Sequence, residues 1–240
     1  YDMLPPICEK LGIDIPELYL QLDVNPNSYT SGDTKPFIVV TSGLFETIPE
    51  ELIPTVLAHE CGHIACHHVL YSTMGSILLG GASSALRYAI PYGSIATMPL
   101  EIAFFYWMRC SELSADRAAS IITSPEVVAS TMARLSGGPK SITSQIDLKE
   151  WASQADEYDK IQNNGLWNKT LQLAVIAGLD HPFSAVRVRE ILKWGESEQY
   201  RMIKNGGTMD IPSGRTCPRC GSAVEDGWRF CRNCGAPLNS

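Results

Sequence analysis

The chain has 240 residues, 45% hydrophobic and 19% charged, a globular balance that excludes disordered and fibrous classes and allows one sizeable core or two smaller ones. Nineteen Lys and Arg against 26 Asp and Glu give a net charge of −7, which disfavours a general attraction to nucleic acid or anionic membrane. His59, His63, His67 and His68 lie close together, and four of the eight cysteines, Cys217, Cys220, Cys231 and Cys234, fall near the C-terminal end, so placement says more than number.

Residues 1–10 lack a basic stretch followed by an apolar run, so no signal peptide is expected there. Phe37-Ile38-Val39-Val40-Thr41 is rich in β-branched residues, is bounded by Lys35-Pro36 and Ser42-Gly43, and reads as a strand. Glu50 and Glu51 then open a helix whose apolar period runs over 52–70, with Pro54 in the first turn, where its missing N–H costs least. From Ile64 to Leu86 no Asp, Glu, Lys or Arg occurs. The glycines, serines and histidines of that stretch favour a buried helical hairpin over a plain membrane span, with peripheral membrane contact through 69–108 as the alternative. Further helices are expected over 111–122, 125–135, 148–161 and 183–203, with a break at Ser136-Gly137-Gly138-Pro139. Asn205-Gly206-Gly207 and Ile211-Pro212-Ser213-Gly214 read as linker, which gives a main domain at 1–205, a linker at 206–214 and a small module at 215–240.

His59-Glu60-Cys61-Gly62-His63 is an HExxH pattern inside the helix expected over 52–70. Residues i and i+4 share a helical face, so both imidazoles reach one ion while Glu60 is offset toward its open coordination position, the arrangement of a hydrolytic zinc site. In a straight helix His67 stands about 12 Å along the axis from His59, too far for both to bind the same ion, so His67 and His68 read as polar or supporting residues. No carboxylate lies between His63 and Glu101. The third ligand is therefore expected from Arg109-Cys110-Ser111-Glu112-Leu113-Ser114-Ala115-Asp116, where Glu112 would bind zinc and Asp116, one turn on, would accept a hydrogen bond from a ligand imidazole. Taken alone, the same two acids also suit a solvated acidic face.

The strand, Ser42-Gly43-Leu44, the HExxH helix, the long apolar insert, the Ser-Glu-Leu-Ser-Ala-Asp-Arg run at 111–117 and His181-Pro182-Phe183-Ser184-Ala185-Val186-Arg187 together resemble the HtpX and CAAX-prenyl-endopeptidase family of zinc metallopeptidases over about residues 17–203. The resemblance implies an α+β, mainly helical gluzincin-type domain with a small β-sheet. It also implies His59, His63 and Glu112 as ligands of a catalytic zinc, Glu60 as general base and Asp116 behind the ligands. His181 and Arg187 match the family's HPxxxxR element, which puts both among the catalytic residues, His181 as a candidate oxyanion donor. Asn27-Ser28-Tyr29 is similar to the family's Asn-Ala-Phe/Tyr segment before the edge strand, with Ser for Ala. A polypeptide substrate follows, unfolded or flexible, adding to an edge strand expected at 37–41.

At the C-terminus, Cys217-Pro218-Arg219-Cys220 and Cys231-Arg232-Asn233-Cys234, each followed by Gly, have the spacing of a closed four-thiolate zinc ribbon. So short a module cannot bury a core and depends on its metal. One catalytic and one structural Zn²⁺ are therefore expected. The ribbon's local basic excess admits nucleic acid, but a protein-binding or stabilising role is the stronger reading. Reduced thiols favour the cytoplasm, or the cytoplasmic face of a membrane if 69–108 makes contact. The competing function is a catalytically idle protease scaffold acting as an adaptor through its ribbon.

Overall fold

A computed structural model of the chain describes residues 1–32, 34–75, 77, 93–137, 140–143, 145–162, 184–206, 230, 237 and 238. Helix α1, Leu4–Leu11, buries Leu4, Ile7 and Cys8 and ends on Gly12 in the left-handed conformation. Three short strands follow: β1, Glu17–Gln21; β2, Ser28–Ser31; and β3, Phe37–Thr41. Helix α2 is Ser42–Thr47, and a 3-10 turn at Glu50–Leu52 leads into α3, Ile53–Ala65. Then come α4, Gly93–Ile122; α5, Pro125–Gly137; α6, Lys140–Thr143; α7, Leu148–Gln162; α8, Ser184–Glu196; and α9, Glu198–Lys204. The mainly helical class with one small sheet is as expected. The chain divides into two units, Tyr1–Ser197 and Glu198–Ser240.

The sheet order is β1-β3-β2, with β1 parallel and β2 antiparallel to β3. This corrects the edge expected at 37–41. Phe37–Thr41 is the central strand because its run of branched apolar residues is buried almost throughout, as a strand paired on both sides requires. The edge facing α3 is β2, whose Tyr29 pairs with Val39. Gly43 lets the 23–27 loop close on the start of α2: its N–H donates to the Asp23 carbonyl at 2.8 Å, and a Cβ there would meet the Val24 carbonyl oxygen at 2.2 Å. Thr41 Oγ1 and Ser42 Oγ bind backbone atoms of Asn25, Asn27 and Asp23, which fixes the position from which β2 starts.

Pro54 lies in the first turn of α3, as expected. The helix does not run on to residue 70. It ends at Ala65, His67 takes a positive φ of 55°, and helix resumes over 68–75. The predicted 183–203 helix is likewise interrupted, because the Ser197 N–H and hydroxyl both turn back to the Trp194 carbonyl. The hairpin expected after residue 64 lies partly outside the described residues. In its described part His68 and Tyr71 pack edge-on against Trp107 of α4. Tyr71, Met74, Ile77 and Tyr106 are exposed there. No described helix is long and apolar enough to cross a membrane.

The core of the first unit joins α1, β3, α3, the C-terminal half of α4, α5 and α8, with Ile38, Leu44, Val56, Leu57, Ala119, Val128, Val188 and Ile191 buried in it. Each buried Val, Leu or Ile side chain here contributes about 1.5–3 kcal/mol. Helices α3 and α4 approach closely at Gly62, where an added Cβ would stand 2.9 Å from Ala118 Cβ and 3.0 Å from Ala115 Cα. A residue without a side chain therefore lets α3 and α4 approach closely enough for their polar faces to meet.

Candidate metal centre

The i, i+4 spacing on α3 brings His59 Nε2 to 3.1 Å from His63 Nε2. Across the Gly62 contact, α4 directs Glu112 at both: Oε2 lies 3.5 Å from His59 Nε2 and Oε1 3.4 Å from His63 Nε2. Ligand atoms of these three residues lie within 4.8 Å of one another, and they are the one such group among the described residues.

Each imidazole is oriented from behind. Asp116, one turn beyond Glu112, has Oδ1 2.9 Å from His59 Nδ1. Arg187 of α8 donates to both Asp116 oxygens at 2.8 and 2.6 Å, and its Nη1 stands 3.0 Å from Glu112 Oε2. Burial alone would raise the Asp116 carboxyl, but the adjacent guanidinium and His59 hold it below the ordinary range. The two carboxylates in turn keep Arg187 firmly charged. Burial would lower His59, yet Asp116 and Glu112 outweigh it and raise its pKa to about 10 in the metal-free protein. On the other imidazole, His68 Nδ1 lies 3.0 Å from His63 Nδ1. Burial and the neighbouring His63 push His68 down to about 4.

Glu60 is only 4% exposed, and β2 holds both of its carboxylate oxygens. Ser28 donates to Oε1 at 2.7 Å and Thr30 to Oε2 at 2.8 Å, because alternate residues of the edge strand face α3. A cavity of about 200 Å³ opens beside Glu60 and His59, with Leu44, Val56, Val128, Met132 and Leu135 supplying its apolar wall.

The donor set fits a divalent cation. Two imidazoles with Nδ1 committed elsewhere direct Nε2 at one carboxylate, and a cation would take the place of the His59 proton in a nitrogen and oxygen set suited to zinc. Arg187 pairs with Glu112 and Asp116, and Glu60 stands on the same helix as the two imidazoles, so carboxylates outnumber the guanidinium and the protonated His59 supplies part of the positive charge that a bound cation would bring.

The structure thus brings together His59, Glu60, His63, Glu112, Asp116 and Arg187. It directs Arg187 at two carboxylates, so this residue acts through them. His181 lies outside the described residues, as do Cys217, Cys220, Cys231 and Cys234; of the C-terminal module, an antiparallel bridge between Phe230 and Pro237 is described. Sequence alone does not mark Ser28 and Thr30 as partners of Glu60. The period-2 spacing of two hydroxyls beside the Asn27-Ser28-Tyr29 resemblance was the available signal.

Comparison with known proteins agrees with this geometry. The model of peptidase family M48 matches residues 9–195, and the zinc-ribbon domain model matches residues 216–238. A protein named plastoglobule-localized metallopeptidase 48, chloroplastic, from Arabidopsis thaliana is 36% identical over 209 residues, 85% of this chain and 58% of that protein. Protease HtpX homologues from Ralstonia nicotianae and a Sulfurovum species are 22% and 25% identical, over 56% and 60% of this chain and 54% and 59% of their own lengths. The chain therefore spans little more than half the length of the curated relatives it matches. No solved structure matches.

Proposed function

The chain belongs to peptidase family M48 and carries a C-terminal zinc ribbon, and from that premise we propose that it is a zinc-dependent endopeptidase acting on unfolded or flexible polypeptide segments. The convergence of His59 Nε2, His63 Nε2 and Glu112 within 4.8 Å, with Glu60 on the same helix, carries this reading.

His59, His63 and Glu112 would hold the zinc. When bound, zinc supplies a Lewis acid that polarises a peptide carbonyl and lowers the pKa of water toward about 7. Glu60 accepts the proton of the attacking water and returns it to the leaving amine, a role for which its carboxylate must be held in one orientation. Ser28 and Thr30 supply that orientation from β2. Among the described strands β2 pairs only with β3, so its outer edge is available to an extended peptide. Such recognition needs main-chain hydrogen bonds and no fold in the substrate, which favours unfolded or flexible segments. The apolar cavity beside Glu60 takes one substrate side chain. His181, which shares the HPxxxxR sequence motif with Arg187, serves as oxyanion donor. Cys217, Cys220, Cys231 and Cys234 bind a second, structural zinc, and the ribbon offers a surface for a protein partner.

Incubation of the zinc-loaded full chain with unfolded casein tests the proposal. Casein fragments should accumulate, cease on chelation and resume when zinc is restored. No cleavage by the zinc-loaded chain, or cleavage indifferent to chelation, would overturn it.

A further inference from the structure

The HExxH pattern leaves His68 without a function, yet the helix breaks just before it, and its ring meets His63. In an uninterrupted helix a residue five positions after His63 lies about 140° around the axis, facing away from it. Here α3 stops at Ala65, and His67 adopts φ 55°, a left-handed conformation unfavourable for a residue with a Cβ. The chain then re-enters helix at residue 68. His68 is 9% exposed, with Nδ1 3.0 Å from His63 Nδ1, Nε2 3.2 Å from Ser114 Oγ and its ring edge-on to Trp107.

These contacts define a direction. Ser114 Oγ lies 2.9 Å from the Ser111 carbonyl and 3.1 Å from the Cys110 carbonyl, groups that only accept. The Ser114 proton therefore points at them, and a lone pair faces His68 Nε2. His68 then carries its proton on Nε2 and presents a bare Nδ1 to His63. The His63 proton must in consequence sit on Nδ1, and its Nε2 lone pair faces His59 and Glu112. The reverse direction would put an N–H on His63 Nε2 and block a cation.

We propose that His68, backed by Ser114, is a positioning residue of the metal centre that fixes His63 in its metal-binding tautomer, as Asp116 fixes His59. The inference rests on the assignment of His59, His63 and Glu112 as ligands. It adds a neutral support for one imidazole where the other has a carboxylate, so orientation is gained without further negative charge beside Glu112.

The test uses the metal-free full chain, zinc competed against a chromophoric chelator, and ¹⁵N-histidine spectra that report which ring nitrogen carries the proton. Glu112→Gln identifies the zinc equivalent belonging to this centre, because the ribbon's equivalent is unaffected by it. His68→Phe should weaken that equivalent about 10- to 100-fold and leave His63 in mixed tautomers. His68→Gln, whose side-chain carbonyl still accepts a proton, should recover most of the affinity and the single tautomer. Ser114→Ala should give a smaller loss, and it carries the test if His68→Phe does not fold. Unchanged affinity and tautomer in His68→Phe or, failing that, in Ser114→Ala, or a His68→Gln variant as weak as His68→Phe, would overturn the proposal. Wild-type His59 and His63 signals that do not respond to zinc would instead remove the metal centre itself, and this inference with it.

Discussion

Replacing Gly62 with Ala disturbs the metal centre without touching a ligand. The new methyl would stand 2.9 Å from Ala118 Cβ, 3.0 Å from Ala115 Cα and 3.2 Å from the Ala115 carbonyl oxygen. Ordinary carbon contacts are about 3.5–4.0 Å, so α3 and α4 must separate by about 0.5–1 Å. None of the three opposing atoms belongs to a flexible side chain, so overpacking of about 1–3 kcal/mol is expected. The metal-free protein relieves part of it by letting the helices part, but Glu112 sits one turn from Ala115, and zinc binding must draw them together again. Strain carried wholly into the bound state would weaken zinc by about 5- to 150-fold. Denaturant melts of the metal-free chain and chelator competition divide the total between stability and affinity. Gly195→Ala provides the contrast: its methyl meets the Pro125 ring at 2.7 Å, away from the ligands, and should lower stability alone. A Gly62→Ala protein with unchanged melting and unchanged zinc affinity would refute the close-approach argument.

Arg187→Met removes the guanidinium from two carboxylates and should destabilise the metal-free protein by about 3–5 kcal/mol, because one partner of a buried ion pair is left without compensation. Saturating zinc should reduce that loss, since the ion restores positive charge beside Glu112; equal losses with and without zinc would contradict the charge-balance argument. Asp147 caps α7, with the N–H groups of Glu150 and Lys149 donating to its Oδ1 at 3.1 and 2.8 Å, and these bonds hold its pKa below 3.8. A carboxyl depressed by folding stabilises above its unfolded pKa and loses that contribution as pH falls through its folded one. Asp147→Ala should therefore melt earlier at pH 7, with the difference closing in acid; a pH-independent difference would show that the carboxylate charge is not what caps the helix.

Much of the centre was legible because helical periodicity is local. His59 with His63, and Glu112 with Asp116, are i, i+4 pairs, and a face defined by 3.6 residues per turn can be read without tertiary structure. Arg187 entered only through family resemblance, because its ion pairs join residues 71 and 75 positions apart and leave no short-range trace. The misplaced sheet edge has a similar origin. Phe37–Thr41 is a strong strand by composition, but β1 is largely exposed and β2 is Ser-Tyr-Thr-Ser, so neither neighbour announces itself by alternation. For His68 the sequence supports a polar or supporting role without naming its partner, since in a continuous α3 it would face away from His63. The break at His67 involves no Gly or Pro, the residues from which breaks are normally read.

The central claim is that Glu60 performs proton transfer beside a zinc held by His59, His63 and Glu112. Glu60→Gln is nearly isosteric and leaves all three donors in place. Zinc content and casein cleavage measured on the same zinc-loaded preparations of wild type and variant should show equal metal and a rate lower by at least about 10²–10⁴ in the variant. Equal metal with cleavage at the wild-type rate would contradict the account.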